Sequence, residues 1–400
     1  MYKLNQELLN TKLSSNQDFS EKRVLLRTCL NVITDKEGNI IDDTRLIESL
    51  PCIQSLVDNS QQLIIMAHLG RPKTQSAETS FSKLADALSG HLGKDIYFAN
   101  DLDSETINII KSWEEKIIFL ENIRYFDWED SKEESERQPL IDQLTDLADV
   151  FVNDAFADYR KSVSTYYIAK ALPSFVWPLF AREITKLSAV SNPEHPFVAI
   201  IWWSKLSEKI DTVRELCKIA DKVFVAWWIA TTIMKANGLE IGTSLCENDK
   251  LDVAKDIYNQ FSDKLVLPLD FQITSDFKNP EEYISVDADQ VPADMMVLDQ
   301  WPKTIQMLQT LISEAKTIVA NGTVWVYEFA NCQAGSRAVL EAVAENSEAY
   351  TLIGGGNTLE AANQFEIERE KFDHVSTGGG AMLAVFAQDD FPTLDVILNW

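Results

Sequence analysis

Short runs of consecutive apolar residues alternate along the chain with segments whose apolar residues recur every three or four positions. In the first half the runs are RVLLRTCLNV (23–32), QQLIIMAH (61–68), KIIFL (116–120) and DVFVNDAF (149–156). In the second half they are FVAII (197–201), KVFVAW (222–227), KLVLPL (264–269), KTIVAN (316–321) and YTLIGG (350–355). Unbroken apolar runs of this length predict strands buried on both faces, and hence parallel sheets. The segments between them predict helices, one over 44–59 and another opening at Ser204, with Leu206, Ile210, Val213 and Leu216 on one face. Strand–helix alternation in both halves predicts an α/β protein with two doubly wound parallel-sheet domains. Segment 182–197, REITKLSAVSNPEHPF, turns from helical to proline-bearing and is the expected boundary.

Composition adds limits rather than a function. The 400 residues exceed one ordinary core, which supports two domains. Lys and Arg number 36 against 62 Asp and Glu, a net charge of −26, which argues against nucleic acid or an anionic membrane as partner. The 5 cysteines, Cys29, Cys52, Cys217, Cys246 and Cys332, are scattered without a C-x-x-C pair and fit reduced cytosolic thiols. The N-terminus lacks a signal-peptide pattern. The longest strongly apolar stretch, 223–234, is shorter than the roughly 20 residues that span a bilayer.

Ligands of open parallel sheets bind beyond the carboxyl ends of the strands. In the first half those positions carry Asn31, His68-Leu69-Gly70-Arg71, Glu121-Asn122-Ile123-Arg124 and Asn153-Asp154. With Arg45 and Arg160 they gather cations at one end of a sheet in an acidic chain, which points to a small anionic ligand. In the second half the positions carry Trp202-Trp203-Ser204-Lys205, Ala226-Trp227-Trp228, Asn321-Gly322 and Gly354-Gly355-Gly356-Asn357-Thr358. A glycine turn entering a helix presents free N–H groups to phosphate. A second such turn, Ser376–Gly380, precedes the last helical segment.

Taken in order, DDTRLIESLP, MAHLGRPK, LENIRY, ADVFVNDAF, NPEHPFVAII, SKLSEKI, LDVAKDI, LIGGGNT and FDHVSTGGGA resemble the phosphoglycerate kinases over essentially the whole chain. The resemblance implies two Rossmann-like domains joined by a hinge helix: residues 1–183, residues 184–375 with the hinge at 184–197, and a final segment, 376–400, packing back toward the first domain. It implies transfer of a phosphoryl group between 1,3-bisphosphoglycerate and ADP with Mg²⁺, in a cytoplasmic monomer. Carried over position by position, Asn31, Arg45, His68, Arg71, Arg124 and Arg160 would bind 3-phosphoglycerate. Arg45, Lys205 and Lys209 would act in catalysis. Lys209, Asn321, Glu328, Gly354, Gly355, Gly356 and Thr358 would face ATP or ADP. The loop ADYRKSVST that carries Arg160 is one residue shorter than the family pattern.

The departures concentrate on the nucleotide side. Trp202, Trp203, Trp227, Trp228, Trp301 and Trp325 stand where the family pattern has glycine, and so does Trp177 in FVWPLF; together they are seven of the chain's 10 tryptophans. Asn357 replaces the aspartate expected to engage Mg²⁺ on the nucleotide, which leaves no metal ligand of the family type. Cys29 replaces the aspartate expected to hold a substrate hydroxyl, and a thiol is a weak donor and a poor acceptor. Glycine lets a backbone approach a ligand and adopt positive φ, and tryptophan defeats both. The expected outcome is a phosphoglycerate-kinase scaffold with an occluded ADP/ATP site and residual 3-phosphoglycerate binding. A working kinase and a protein that binds a partner through an aromatic cleft are the alternatives.

Overall fold

The computed structural model describes residues 2–112, 115–126, 128–202, 210–276, 283–327, 329–387 and 390–400. It divides into two compact units, Leu4–Thr185 with Asp390–Trp400, and Met1–Lys3 with Lys186–Asp389.

In the first unit six strands are parallel: β1 (Phe19–Arg27), β2 (Ser60–Met66), β3 (Tyr97–Ala99), β4 (Ile117–Leu120), β5 (Val150–Asn153) and β6 (Ser174–Val176). Their order across the sheet is β3-β4-β2-β1-β5-β6. Val24, Leu25 and Leu26 are fully buried, as a central strand covered on both faces requires. Helix α1 (Thr44–Asn59) has the predicted bounds, and its Leu46, Cys52, Ile53, Leu56 and Val57 join the core beneath the sheet. Because the chain goes from β1 to β2 on one side and later to β5 on the other, the winding reverses between β1 and β5. A crevice opens at the carboxyl ends of such a pair.

The second unit repeats the scheme. Its parallel strands are β7 (Phe197–Trp202), β8 (Lys222–Ala226) and β9 (Leu265–Val266). A small antiparallel sheet follows, with β10 (Asp270–Thr274), β11 (Ile284–Asp287) and β12 (Met296–Gln300) in the order β11-β10-β12. The main sheet resumes with β13 (Thr317–Asn321), β14 (Tyr350–Gly354) and β15 (His374–Ser376) in the order β9-β8-β7-β13-β14-β15. The reversal here lies between β7 and β13, which pair from Thr317↔Phe197 to Asn321↔Ile201.

The division between units falls inside helix α2 (Pro178–Ala189). Past Ser376 the chain stays with the second unit. β15 pairs with β14, Leu352↔His374 through Gly354↔Ser376, and the helix over Gly379–Ala387 buries Ala381–Phe386 in the second unit. The first unit regains the chain only at Asp390. Two further expectations are corrected. The apolar run 222–227 ends as a strand at Ala226, and helix α3 (Trp227–Ala236) starts on the next residue. Only Leu265–Val266 of KLVLPL forms a strand, because Pro268 has no N–H to give to a ladder.

Candidate functional site

The first unit concentrates charge at its switch point. Arg27 closes β1 and is 2% exposed. Its fork is fully engaged: Nε donates to Ser164 Oγ at 2.9 Å, Nη1 to the Thr28 carbonyl at 2.5 Å, and Nη2 to Asp158 Oδ2 at 2.9 Å. His68, just past β2, places Nδ1 3.0 Å from the same Oδ2 and 2.9 Å from Arg27 Nη2. Nδ1 therefore faces an acceptor, Asp158 Oδ2, and a donor, Arg27 Nη2, and serves one or the other according to its tautomer. Burial lowers the pKa of His68 against the pull of Asp158. Burial would raise that of Asp158, but Arg27, then His68 and Arg124, hold it well below the usual carboxylate range.

Around this core stand the expected residues. Arg45, in the first turn of α1, donates from Nη1 to Cys29 Sγ at 2.8 Å, and burial pushes the Cys29 thiol up. Cys29 is thus a protonated acceptor for Arg45. Asn31 Oδ1 accepts from the Gly70 N–H at 2.7 Å, and Arg124 Nη1 donates to the Gly70 carbonyl at 2.6 Å. Arg71 is exposed and close enough to weaken the charged form of Arg124. Arg160 is exposed, with its guanidinium over the Tyr159 ring at 5.9 Å. The structure therefore brings Arg45, His68 and Arg124 to one charged cluster, ties Asn31 to the loop beside it, and leaves Arg71 and Arg160 at the surface.

Four members of this cluster were missed by the sequence reading: Arg27, Asp158, Ser164 and Glu129. Ser164 links Arg27 to Glu129, donating from Oγ to Oε1 at 2.5 Å and from its backbone N–H to Oε2 at 3.0 Å. Burial raises Glu129 to about 7, opposed by Ser164 and Arg27. The available signal for Arg27 was a charged residue closing an apolar run; for Asp158 it was the shortened loop.

At the second unit's switch point the occupant is aromatic. Trp202 ends β7 and is 9% exposed. Its indole lies over Gly322, which follows β13 with φ of +93°; a Cβ at Gly322 would stand 2.4 Å from Trp202 Cε3. Trp202 stacks on Trp227 with ring centroids 4.9 Å apart and planes 16° from parallel. Trp227 meets Trp228 edge-on at 6.3 Å. Trp227 has φ of +51°, so an L-residue holds a left-handed conformation at the start of α3. The Trp228 Nε1 is buried and finds no hydrogen-bond partner among the described residues.

The glycine turn after β14 is preserved. Gly355, with φ of +104°, precedes helix α4 (Gly356–Gln364), whose first turn holds Asn357 and Thr358. The Thr358 hydroxyl is engaged internally, donating to the Gly354 carbonyl at 2.8 Å and accepting from the Gly322 N–H at 2.6 Å. Asn321 Nδ2 donates to the Gly354 carbonyl at 2.9 Å, while its buried Oδ1 has no partner among the described residues. Among the described residues no group of three or more His, Cys, Asp or Glu is placed to hold a metal.

Other tryptophans stand elsewhere. Trp325 is 1% exposed, packs on Phe271 at 5.5 Å and donates from Nε1 to the Val297 carbonyl at 3.4 Å, the contacts of a core residue. Trp301 caps the helix over Pro302–Glu314 and faces Tyr283. Trp177 packs against the core of the first unit. Trp203, Ser204, Lys205, Lys209 and Glu328 lie outside the described residues.

A family model described as "Phosphoglycerate kinase" matches residues 14–388. The phosphoglycerate kinase of Macrococcus caseolyticus is 38% identical over 394 residues, covering 96% of this chain and 98% of the relative. That of Fusobacterium nucleatum is 37% identical over 399 residues, covering 97% and 99%. The solved structure of phosphoglycerate kinase from Coxiella burnetii superposes with a TM-score of 0.83 at 32% identity, covering 96% of this chain and 98% of that one. With two parallel α/β sheets and a match along nearly its whole length, the chain belongs to the phosphoglycerate kinase family.

Proposed function

We propose that this chain is a phosphoglycerate-kinase scaffold whose nucleotide crevice is filled by its own tryptophans, so that phosphoryl transfer between 1,3-bisphosphoglycerate and ADP is lost or severely reduced. The reading takes the chain, on family resemblance, as a cytoplasmic monomer. The observation that carries it is the Trp202 indole seated over Gly322 at the β7–β13 switch point and stacked on Trp227. ADP or ATP with Mg²⁺ would need that space, and the side chains present do not fit such a ligand. Lifting one buried indole into water costs about 1.5–3 kcal/mol, and breaking its ring stack about 0.5–1.5 kcal/mol more. A nucleotide bound at millimolar to micromolar strength gains only about 4–8 kcal/mol in all. Two or three such displacements consume that gain. Asn357 weakens a different contribution: it can accept a metal but brings no charge, and phosphoryl transfer depends on charge neutralisation.

The first unit supports residual binding of a phosphoglycerate. Arg27, Arg45 and Arg124 are permanently charged and converge on one end of β1, with His68 beside them. These groups would hold carboxylate and phosphate oxygens. Cys29 would leave a substrate hydroxyl without its expected acceptor. Against use of an aromatic cleft as a partner surface stands Trp202, only 9% exposed, although Trp227 and Trp228 beside it are half-buried.

Titration of the full chain with ADP–Mg²⁺, followed by tryptophan fluorescence, tests the reading together with a turnover assay on ATP and 3-phosphoglycerate. The expected result is no saturable quenching and no turnover above background. Saturable quenching at micromolar ADP with turnover would refute occlusion. Trp202→Gly combined with Trp227→Gly is expected to open ADP binding, and Asn357→Asp added to that pair to restore measurable turnover.

A further inference from the structure

The cation cluster of the first unit contains its own anion. Asp158 comes from neither a strand nor a helix but from the loop after β5, where its N–H donates to the Ala155 carbonyl at 3.0 Å. One carboxylate oxygen takes Arg27 at 2.9 Å and His68 at 3.0 Å. The side chain keeps 14% exposure, so it sits at the mouth of the cluster rather than behind it. Arg45 and Arg124 add positive potential at this carboxylate while their guanidiniums reach Cys29 and the Gly70 carbonyl. Glu129, the other acid of the network, lies behind Ser164 and accepts its hydroxyl. In direct contact this one carboxylate oxygen meets Arg27 and His68, while Glu48 also acts on Arg45 and Asp130 on Arg124. An oxyanion of higher charge placed there would gain more than Asp158 does.

We propose that Asp158 is an internal competing ligand: its carboxylate fills the anion seat between Arg27 and His68, and an external oxyanion, whether a carboxylate or a phosphate ester, enters only when this loop withdraws. The inference rests on the reading that the first unit takes a phosphoglycerate-class ligand. Occupancy of a seat by the chain itself lowers apparent affinity by the fraction of time the seat is free, with no change in the cations that do the binding. The shortened loop ADYRKSVST then acts as a filter that favours ligands of high charge over monoanions.

Isothermal titration of the full chain and of Asp158→Asn with 3-phosphoglycerate, inorganic phosphate and glycerate tests this. Asn keeps the shape and one acceptor for Arg27 but removes the charge. Asp158→Asn is expected to bind 3-phosphoglycerate at least about tenfold more tightly than wild type, as release of an occupied seat requires. The response to phosphate against glycerate identifies which oxyanion takes the seat. Wild type that binds 3-phosphoglycerate, with no gain or a loss in Asp158→Asn, overturns the internal ligand and leaves the phosphoglycerate reading intact. Failure of both chains to bind any of the three overturns both. Should Asp158→Asn not fold, wild type decides by NMR, where only 4 histidines need assignment. Bound 3-phosphoglycerate that moves both the His68 ring nitrogens and the Asp158 carboxyl carbon supports displacement. Binding without those shifts, or no binding, overturns it.

Discussion

The two units share one plan and fill it with opposite chemistry. Each winds its sheet outward from a central pair, β1 with β5 and β7 with β13, and each leaves a crevice at the carboxyl ends. In the first, the crevice holds guanidiniums, an imidazole and a carboxylate in direct contact. In the second, it holds stacked indoles over glycine. Both are occupied by the chain. An oxyanion can replace a carboxylate among cations. A purine base is a planar bicycle much like an indole, but it would have to displace rings that are already packed there and tethered to the chain. On the proposed reading, a ligand site survives a charged plug and is lost to an apolar one.

The largest effects should come from removing the central occupant of each interior. Arg27→Met removes the guanidinium that bonds Asp158 and restrains Glu129; it should cost about 3–5 kcal/mol in chemical denaturation, as for other broken buried pairs. Trp325→Ala should cost a similar amount, about 3–5 kcal/mol, through cavity formation beneath Phe271. The two differ in consequence. Arg27→Met should also abolish phosphoglycerate binding, while Trp325→Ala should open no nucleotide site. ADP binding by Trp325→Ala would place that indole at the crevice after all and break the contrast between plug and core.

A second pair of variants sharpens the electrostatic side. Glu129 in the first unit and Asp299 in the second are both raised by burial to about 7. Glu129 is opposed by Ser164 and Arg27, whereas Asp299 is opposed by backbone N–H groups, those of Gly335, Gln300 and Ala334. Each folded-state pKa lies above its unfolded value, so the native state binds the extra proton between about pH 4 and pH 7. Stability must fall as pH rises through that window, by about 3–4 kcal/mol for each group once it is fully ionised. Glu129→Gln and Asp299→Asn should each flatten part of the decline between pH 5 and pH 8 in denaturant titrations. An unchanged slope in Glu129→Gln would mean that the Ser164–Arg27 network holds the carboxylate ionised.

Fold class was legible because burial on both faces of a parallel strand leaves unbroken apolar runs. Val24–Leu26 and Val198–Ile201 are buried as those runs demand. Short edge strands such as Tyr97–Ala99 and Ser174–Val176 escaped, since three residues cannot carry a period. The small antiparallel sheet escaped too, its β11 being largely exposed. At the site, residues immediately after strands were legible from topology alone, and Arg45, His68 and Arg124 meet in the cluster. Asp158 was not, because a loop carboxylate becomes a ligand only through three-dimensional proximity to Arg27, 131 positions earlier in the chain. The tryptophans were read as one obstruction from sequence. Their division into plug, core and cap depends on side-chain packing, which separates Trp202 from Trp325 and Trp301.

The smallest expected effect isolates the backbone cost of the plug. Trp227 holds φ of +51° in place of a glycine, which costs roughly 1–2 kcal/mol for an L-residue. Trp227→Gly would release that strain and lose a stack worth about 0.5–1.5 kcal/mol with Trp202, together with part of its burial. Strain relief offsets only part of these losses, so Trp227→Gly should be less stable by about 1–2 kcal/mol. ADP should still fail to bind, because Trp202 would remain over Gly322. Thermal melting and ADP titration of this single variant check both statements. ADP binding by Trp227→Gly alone would mean that the Trp202 ring is held over Gly322 by its neighbour rather than by β7. The plug would then be a pair of mutually supporting rings, and removing either member would unlock the crevice.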